Sequence, residues 1–129
     1  MFKKLFLLQQ INSNTMIQIY HNSRCGKSRN CLAFLEKSNE KFEIINYLVN
    51  NPTYNELAEI INKLNIKPLD LIRQKEKIWL ENYKGKILSD SEIIQSMLDN
   101  PILIERPILI DKNRAIIARE PELFEAFLK

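Results

Sequence analysis

Cys25 stands between Arg24 and Gly26, with His21 four residues before it and Lys27 and Arg29 just after it. A thiol is a poor nucleophile until it ionises. A cysteine at the first turn of a helix meets unpaired backbone N–H groups and the positive end of the helix dipole, and both favour the thiolate. Helical spacing begins directly after Cys25, so it occupies such a place, and Arg24, Lys27, Arg29 and His21 add local positive character. The same N–H groups bind anions, so one loop can activate a sulfur and hold an oxyanion beside it. A buried, inert thiol is the commonest fate of a free cysteine, and the polar residues on both sides of Cys25 argue against it here. His21 alone fits a structural role as well as a catalytic one, and Ser28 fits a surface helix position as well as contact with the sulfur. Cys31 lies six residues further along the helix. That is a rise of about 9 Å, beyond the roughly 7 Å over which two Cα atoms can be bridged. Cys31 is therefore assigned to the core, and reducing electrons are expected from an outside thiol.

The elements that must position this loop follow from periodicity. Met16 to Tyr20 is a short apolar run broken by Gln18 and reads as a strand ending in the cysteine loop. Leu32, Phe34 and Leu35 mark a helix from Gly26 to about Lys37, and Phe42 to Leu48 reads as a second strand. Thr53 and Glu56 have capping-box spacing ahead of Leu57, Ile60, Ile61 and Leu64, which predicts an amphipathic helix; Ser89 and Glu92 repeat it before Ile93, Ile94, Met97 and Leu98. Between these two helices, Leu69, Leu71 and Ile72 suggest one or two helical turns. The runs Ile108 to Ile110 and Ala115 to Ile117, separated by Asp111, Lys112 and Asn113, predict a hairpin, and Pro121 opens a terminal helix.

A chain of 129 residues with 45% hydrophobic content is expected to form a single domain. Two cysteines cannot build a multi-bridge secreted scaffold, so a reducing, cytoplasmic setting is expected. One histidine and two cysteines do not make a closed zinc site, and no metal is assigned. The net charge is +3, of which Lys3 and Lys4 supply two charges, so the rest of the chain is near neutral. That balance does not favour nucleic-acid or membrane-surface binding. Met1 to Thr15 carries only a Leu5 to Leu8 apolar run, shorter than a secretory core of ~7 to 15 residues or a membrane span of ~20. It is expected to be a disordered or non-native extension before a domain spanning 16–129.

The stretch Tyr20-His21-Asn22-Ser23-Arg24-Cys25-Gly26-Lys27-Ser28-Arg29-Asn30 closely resembles the active-site loop of the glutaredoxin-coupled arsenate reductase (ArsC) family. Leu71-Ile72-Arg73 resembles that family's first arginine motif, Pro101 to Pro107 with Arg106 its second, and Ala118-Arg119 followed by Pro121-Glu122 its third. The resemblance spans roughly Ile17 to Leu128. It implies an α/β, thioredoxin-like, three-layer fold with a mixed sheet of about four strands and an inserted helical subdomain. It also implies that Cys25 attacks arsenate, that Arg73, Arg106 and Arg119 hold the oxyanion, and that His21, Asn22 and Ser28 tune the thiol. Pro107 resembles the cis-proline facing the cysteine in thioredoxin-like proteins. No tightly bound cofactor is implied; glutathione serves as co-substrate, glutaredoxin as protein partner, and a monomer is expected. The implied cycle runs from thiolate to covalent arsenic adduct, attack by glutathione, and arsenite release after glutaredoxin takes the mixed disulfide.

The chain departs from the family pattern at Glu120, where consecutive prolines are usual. This places a carboxylate beside Arg119, where pairing would weaken oxyanion binding. Two other readings share the fold. A Spx-like transcriptional regulator needs a C-x-x-C pair, and Ser28 occupies the fourth place. A thiol oxidoreductase acting on another substrate would not need three retained arginines.

Overall fold

The computed structural model describes residues 16–129, so the expectations for Met1 to Thr15 lie outside the described residues. Strand β1 (Ile17–Tyr20) is followed by helix α1 (Gly26–Lys37), strand β2 (Phe42–Ile45) and helix α2 (Tyr54–Leu64). A 3-10 turn (Pro68–Leu71), helices α3 (Lys77–Asn82) and α4 (Asp90–Asp99) and a second 3-10 turn (Pro101–Leu103) lead to strands β3 (Ile108–Ile110) and β4 (Ala115–Ile117) and helix α5 (Pro121–Phe127). The sheet order is β2-β1-β3-β4, with β1 parallel to β2 and the other two pairings antiparallel.

Alternation along the strands sorts the core into two layers. Ile17, Ile19 and Leu109 pack with Cys31, Leu35, Phe124 and Phe127 beneath α1 and α5. Tyr20, Ile108 and Ile110 face the other way, joining Leu57, Ile60, Ile61, Ile93, Ile94 and Met97 of the helical block. The result is the three-layer, thioredoxin-like arrangement with a helical insertion that the sequence predicts. No helix among the described residues is long and apolar enough to cross a membrane.

Local chemistry sets the helix starts. The Glu56 amide donates to Thr53 Oγ1 at 3.1 Å and the Thr53 amide to Glu56 Oε1 at 2.8 Å, closing the box ahead of α2. Ser89 and Glu92 repeat the exchange at 3.1 and 2.8 Å ahead of α4. In the hairpin, Asp111 Oδ1 accepts the amides of Asn113 and Arg114 at 2.9 and 3.0 Å, which explains the turn between β3 and β4.

Two elements differ from the sequence reading. Strand β2 ends at Ile45, not at Leu48. Among the described residues its only ladder partner is β1, which leaves the sheet after Tyr20; the last link is the His21 amide to the Ile45 carbonyl at 2.9 Å. Beyond it the chain turns, with the amides of Val49 and Asn50 both donating to the Asn46 carbonyl, and Tyr47 swings into the interior. Helix α3 has no counterpart in the periodicity. At six residues it is too short to show a repeat, and it is anchored by buried Trp79 stacked on Tyr83 at 5.3 Å.

The register decides where functional groups can meet. Tyr20 pairs with Ile108, and Ile108 with Ile117, so the end of β1, the entry to β3 and the exit from β4 share one edge of the sheet. Residues 21–25, 106–107 and 118–119 therefore converge, although Cys25 and Arg119 lie 94 positions apart in the chain. An isolated antiparallel bridge, Ile72 to Ile104, brings the first arginine motif to the same edge.

Candidate active site

Cys25 is the N-cap of α1 and half-buried, with its backbone amide bonded to the Asn22 carbonyl at 3.0 Å. Burial works against the anion. The Ser28 amide, the Arg106 guanidinium through hydrogen bonding and charge, and the Lys27 amide outweigh it and bring the thiol down from 9.0 to about 7. Arg119 Nη1 lies 4.0 Å from Sγ. Cys31 is buried in the α1 layer, where desolvation lifts its thiol to about 12. Burial and electrostatics thus separate the pair: one sulfur poised to ionise and one kept protonated.

A titration of Cys25 alkylation follows directly. Lowering the thiol pKa to about 7 means that the thiolate, and with it the iodoacetamide rate, should rise through neutral pH. The expected half-maximum lies near pH 7, with Cys31 unreactive in the folded protein. A midpoint above about pH 8.5, the range of a free cysteine, would contradict this electrostatic picture.

His21, Asn22 and Ser28 are all buried and bonded to one another. Ser28 Oγ accepts the Asn22 amide at 3.1 Å and lies 2.6 Å from His21 Nδ1. Asn22 Oδ1 accepts the Arg24 amide at 2.9 Å. This network shapes the loop, and its effect on the sulfur passes through the Ser28 backbone N–H, not through the hydroxyl or the ring. Burial and the Arg29 charge lower the His21 pKa below its usual 6.5, so the ring is neutral at pH 7 and adds no positive charge to the loop. Arg29 Nη1 is bonded to the Ser23 carbonyl at 3.0 Å. The charge that matters comes from across the sheet, from Arg106, and not from the cations flanking Cys25.

The three arginines gather around this loop by different routes. Arg106 is buried, and its Nε and Nη1 groups have no hydrogen-bond partner. Its carbonyl accepts a hydrogen bond from Arg119 Nη1 at 2.7 Å, and the Arg106-Pro107 peptide bond is cis. The Ala118 amide donates to the Pro107 carbonyl at 2.8 Å, fixing the second and third arginine motifs together. Arg73 donates from Nε to Glu76 at 3.0 Å and from Nη1 to Glu105 at 3.1 Å. Burial lowers its pKa, but those two carboxylates more than compensate and hold it above its usual value. Glu105 also stands 3.9 Å from Arg119, and Glu76 4.0 Å from Arg106 Nη1.

Glu120 is not the acidic partner of Arg119. It points to Lys27, at 3.0 Å between two exposed side chains. Glu120 is the N-cap of α5 with extended backbone (φ −119°, ψ 144°), a conformation that turns successive side chains away from each other. The carboxylates that do face the arginines, Glu76 and Glu105, are not among the residues singled out from the sequence. Glu76 lies three positions after Arg73, a spacing that points to it, whereas Glu105 pairs with Arg73 and Arg119 and not with its neighbour Arg106, so no local signal points to it. Tyr47, which reads as a strand residue, is instead fully buried in the turn after β2, and its hydroxyl has no hydrogen-bond partner.

The model of the ArsC family matches residues 20–127, nearly the whole of the described chain. The chain belongs to the ArsC family. Among its relatives, the uncharacterised Escherichia coli K12 protein YfgD is 38% identical over 108 residues, covering 82% of this chain and 91% of that one. An arsenate reductase of Neisseria meningitidis is 34% identical over 114 residues, covering 87% and 97%. The solved arsenate reductase of Vibrio cholerae superposes with a TM-score of 0.82 at 34% identity, covering 87% of this chain and 97% of that one. The ArsC-family fold thus accounts for all the elements around the site. What the geometry adds is an ionisable sulfur, two guanidinium groups held in part by protein acceptors, and one buried guanidinium with unspent donors.

Proposed function

We propose that this ArsC-family chain is an arsenate reductase with Cys25 as nucleophile and Arg73, Arg106 and Arg119 as the oxyanion clamp. One observation carries this reading above the others. Arg106 keeps two N–H groups buried and unpartnered next to a thiol that ionises near neutrality. Buried guanidinium groups are costly unless paired, so such a group is maintained where an anion completes it. A tetrahedral oxyanion supplies acceptors in the planar pairs that guanidinium matches.

In the reaction, the Cys25 thiolate attacks pentavalent arsenic and one arsenate oxygen departs as water. The Arg106 and Arg119 guanidinium groups offset the charge of the incoming anion beside the sulfur. A second thiol, from glutathione, then supplies the other sulfur. Arsenic takes two electrons from the two sulfurs and leaves as trivalent arsenite, while the sulfurs form a mixed disulfide. Glutaredoxin resolves that disulfide and restores the Cys25 thiol. Cys31, buried and protonated on the far side of the helix, takes no part. This reading also assigns the protein to the cytoplasm, as a monomer without a tightly bound cofactor.

The test is arsenate-dependent thiol oxidation by the purified protein. Turnover is expected with glutathione and glutaredoxin together, and only slight activity when either is left out. Full turnover without glutaredoxin would replace the partner, and no arsenate turnover under any reductant would overturn the substrate.

A further inference from the structure

We propose that the Tyr47 hydroxyl is a further oxyanion-binding group, donating a hydrogen bond to the substrate alongside the arginines. This rests on the reading of the pocket as an oxyanion site. Tyr47 sits in the turn after β2, and its ring is stacked on Tyr20 at 5.7 Å with 12° between planes. Asn51 Nδ2 donates to its carbonyl at 2.9 Å, so backbone and ring are both held. The residue has no solvent exposure, and its hydroxyl has no hydrogen-bond partner. Among the described residues, only three buried side-chain polar atoms are orphaned in this way: this oxygen and the Nε and Nη1 groups of Arg106.

An unsatisfied buried hydroxyl in an apolar core would ordinarily be replaced by phenylalanine, because it costs stability and returns nothing. The surroundings of this one are not apolar. Burial raises the phenol pKa, while Arg106, Asn22 and Arg73 pull it down and the Cys25 sulfur pushes it up. The phenol therefore stays protonated and a donor at neutral pH. The ring stacks on Tyr20, which leads into the cysteine loop, and the Ile45 carbonyl two residues before Tyr47 accepts the His21 amide at 2.9 Å. Asn22 turns its Oδ1 to the Arg24 amide at 2.9 Å, and the phenol hydrogen remains unspent. Orphaned donors thus come from β3's entry loop and from the turn after β2, two segments that adjoin the cysteine loop. An oxyanion placed against Cys25 satisfies both at once.

Tyr47→Phe removes only the oxygen. Three measurements are made on wild type and variant: arsenate kcat and KM, protection of Cys25 from iodoacetamide by inorganic sulfate, which cannot be reduced, and the ligand-free Tm. The expected result is an arsenate KM and a sulfate half-protection concentration each raised about tenfold, the usual loss for one hydrogen bond to a charged group. Tm should be unchanged or higher, because a buried orphan has been removed. A structural role alone predicts the reverse pattern, lower Tm with unaltered binding, and that outcome overturns the proposal. Tyr47→Leu, which also loses the ring stack, should weaken sulfate binding equally and lower Tm as well. If sulfate protection weakens in Tyr47→Phe although wild type shows no arsenate turnover, Tyr47 is upheld and the arsenate reading falls. If sulfate does not protect wild-type Cys25 at all, the Tyr47 assignment is wrong.

Discussion

Cys25→Ser reduces arsenate turnover to background, a loss of at least about 10³-fold, while Cys31→Ser keeps nearly full kcat. The first change replaces a thiol held at about 7 by a hydroxyl that the same amides and guanidinium cannot ionise near neutral pH. It leaves the N-cap position usable, since serine caps helices well, so Tm should not fall. The second change puts a hydroxyl into a fully buried apolar layer among Leu35, Phe124 and Phe127. That costs stability, about 1–3 kcal/mol, and not chemistry. Arsenate turnover in glutathione and glutaredoxin, measured beside a thermal melt, separates the two. Undiminished activity of Cys25→Ser would remove the nucleophile from the mechanism.

Arg106→Lys is expected to lower kcat/KM for arsenate about 10²-fold although the formal charge is kept. The guanidinium presents donors in a fixed plane that two oxygens of a tetrahedral anion can accept together, and an ammonium offers a point charge on a flexible stem. Losing one well-placed oxyanion donor commonly costs about 10²- to 10³-fold. The variant should be little destabilised, because Nε and Nη1 of Arg106 make no hydrogen bond and the Glu76 carboxylate, 4.0 Å from Nη1, can be met by an ammonium. The bond from Arg119 to the Arg106 carbonyl also survives, since it is made by backbone. The Cys25 alkylation midpoint should move to higher pH, because the Arg106 hydrogen bond to sulfur is one of the groups holding it low. Wild-type kcat/KM in Arg106→Lys would show that the buried guanidinium is not part of the clamp.

Much of this was legible before any coordinates. Both capping boxes are four-residue motifs whose donors and acceptors lie within one turn, so Thr53 and Glu56, or Ser89 and Glu92, can be paired by inspection. The cysteine loop and the three arginine motifs are likewise contiguous. Their sequence order is enough to place them in one family and one fold. Cys31 was separable from Cys25 by helix rise alone, and its burial on α1 agrees.

Which charges neutralise which could not be read in this way. Glu120 is next to Arg119 in sequence yet pairs with Lys27, while Glu105 reaches Arg73 across 32 residues. The end of β2 and the inward swing of Tyr47 depend on β1 leaving the sheet at Tyr20, a matter of pairing and not of local apolar content. The chain on its own determined the helix starts, the strand runs and the identity of the reactive sulfur, because those rest on interactions within a few residues. The tertiary structure alone decided that Arg106, and not the cations beside Cys25, joins the Ser28 and Lys27 amides in lowering the thiol, and that Glu76 and Glu105 face the arginines. The physical reason is that electrostatic and hydrogen-bond energies depend on distance through space, and only the sheet register and the Ile72 to Ile104 bridge convert sequence separation into that distance.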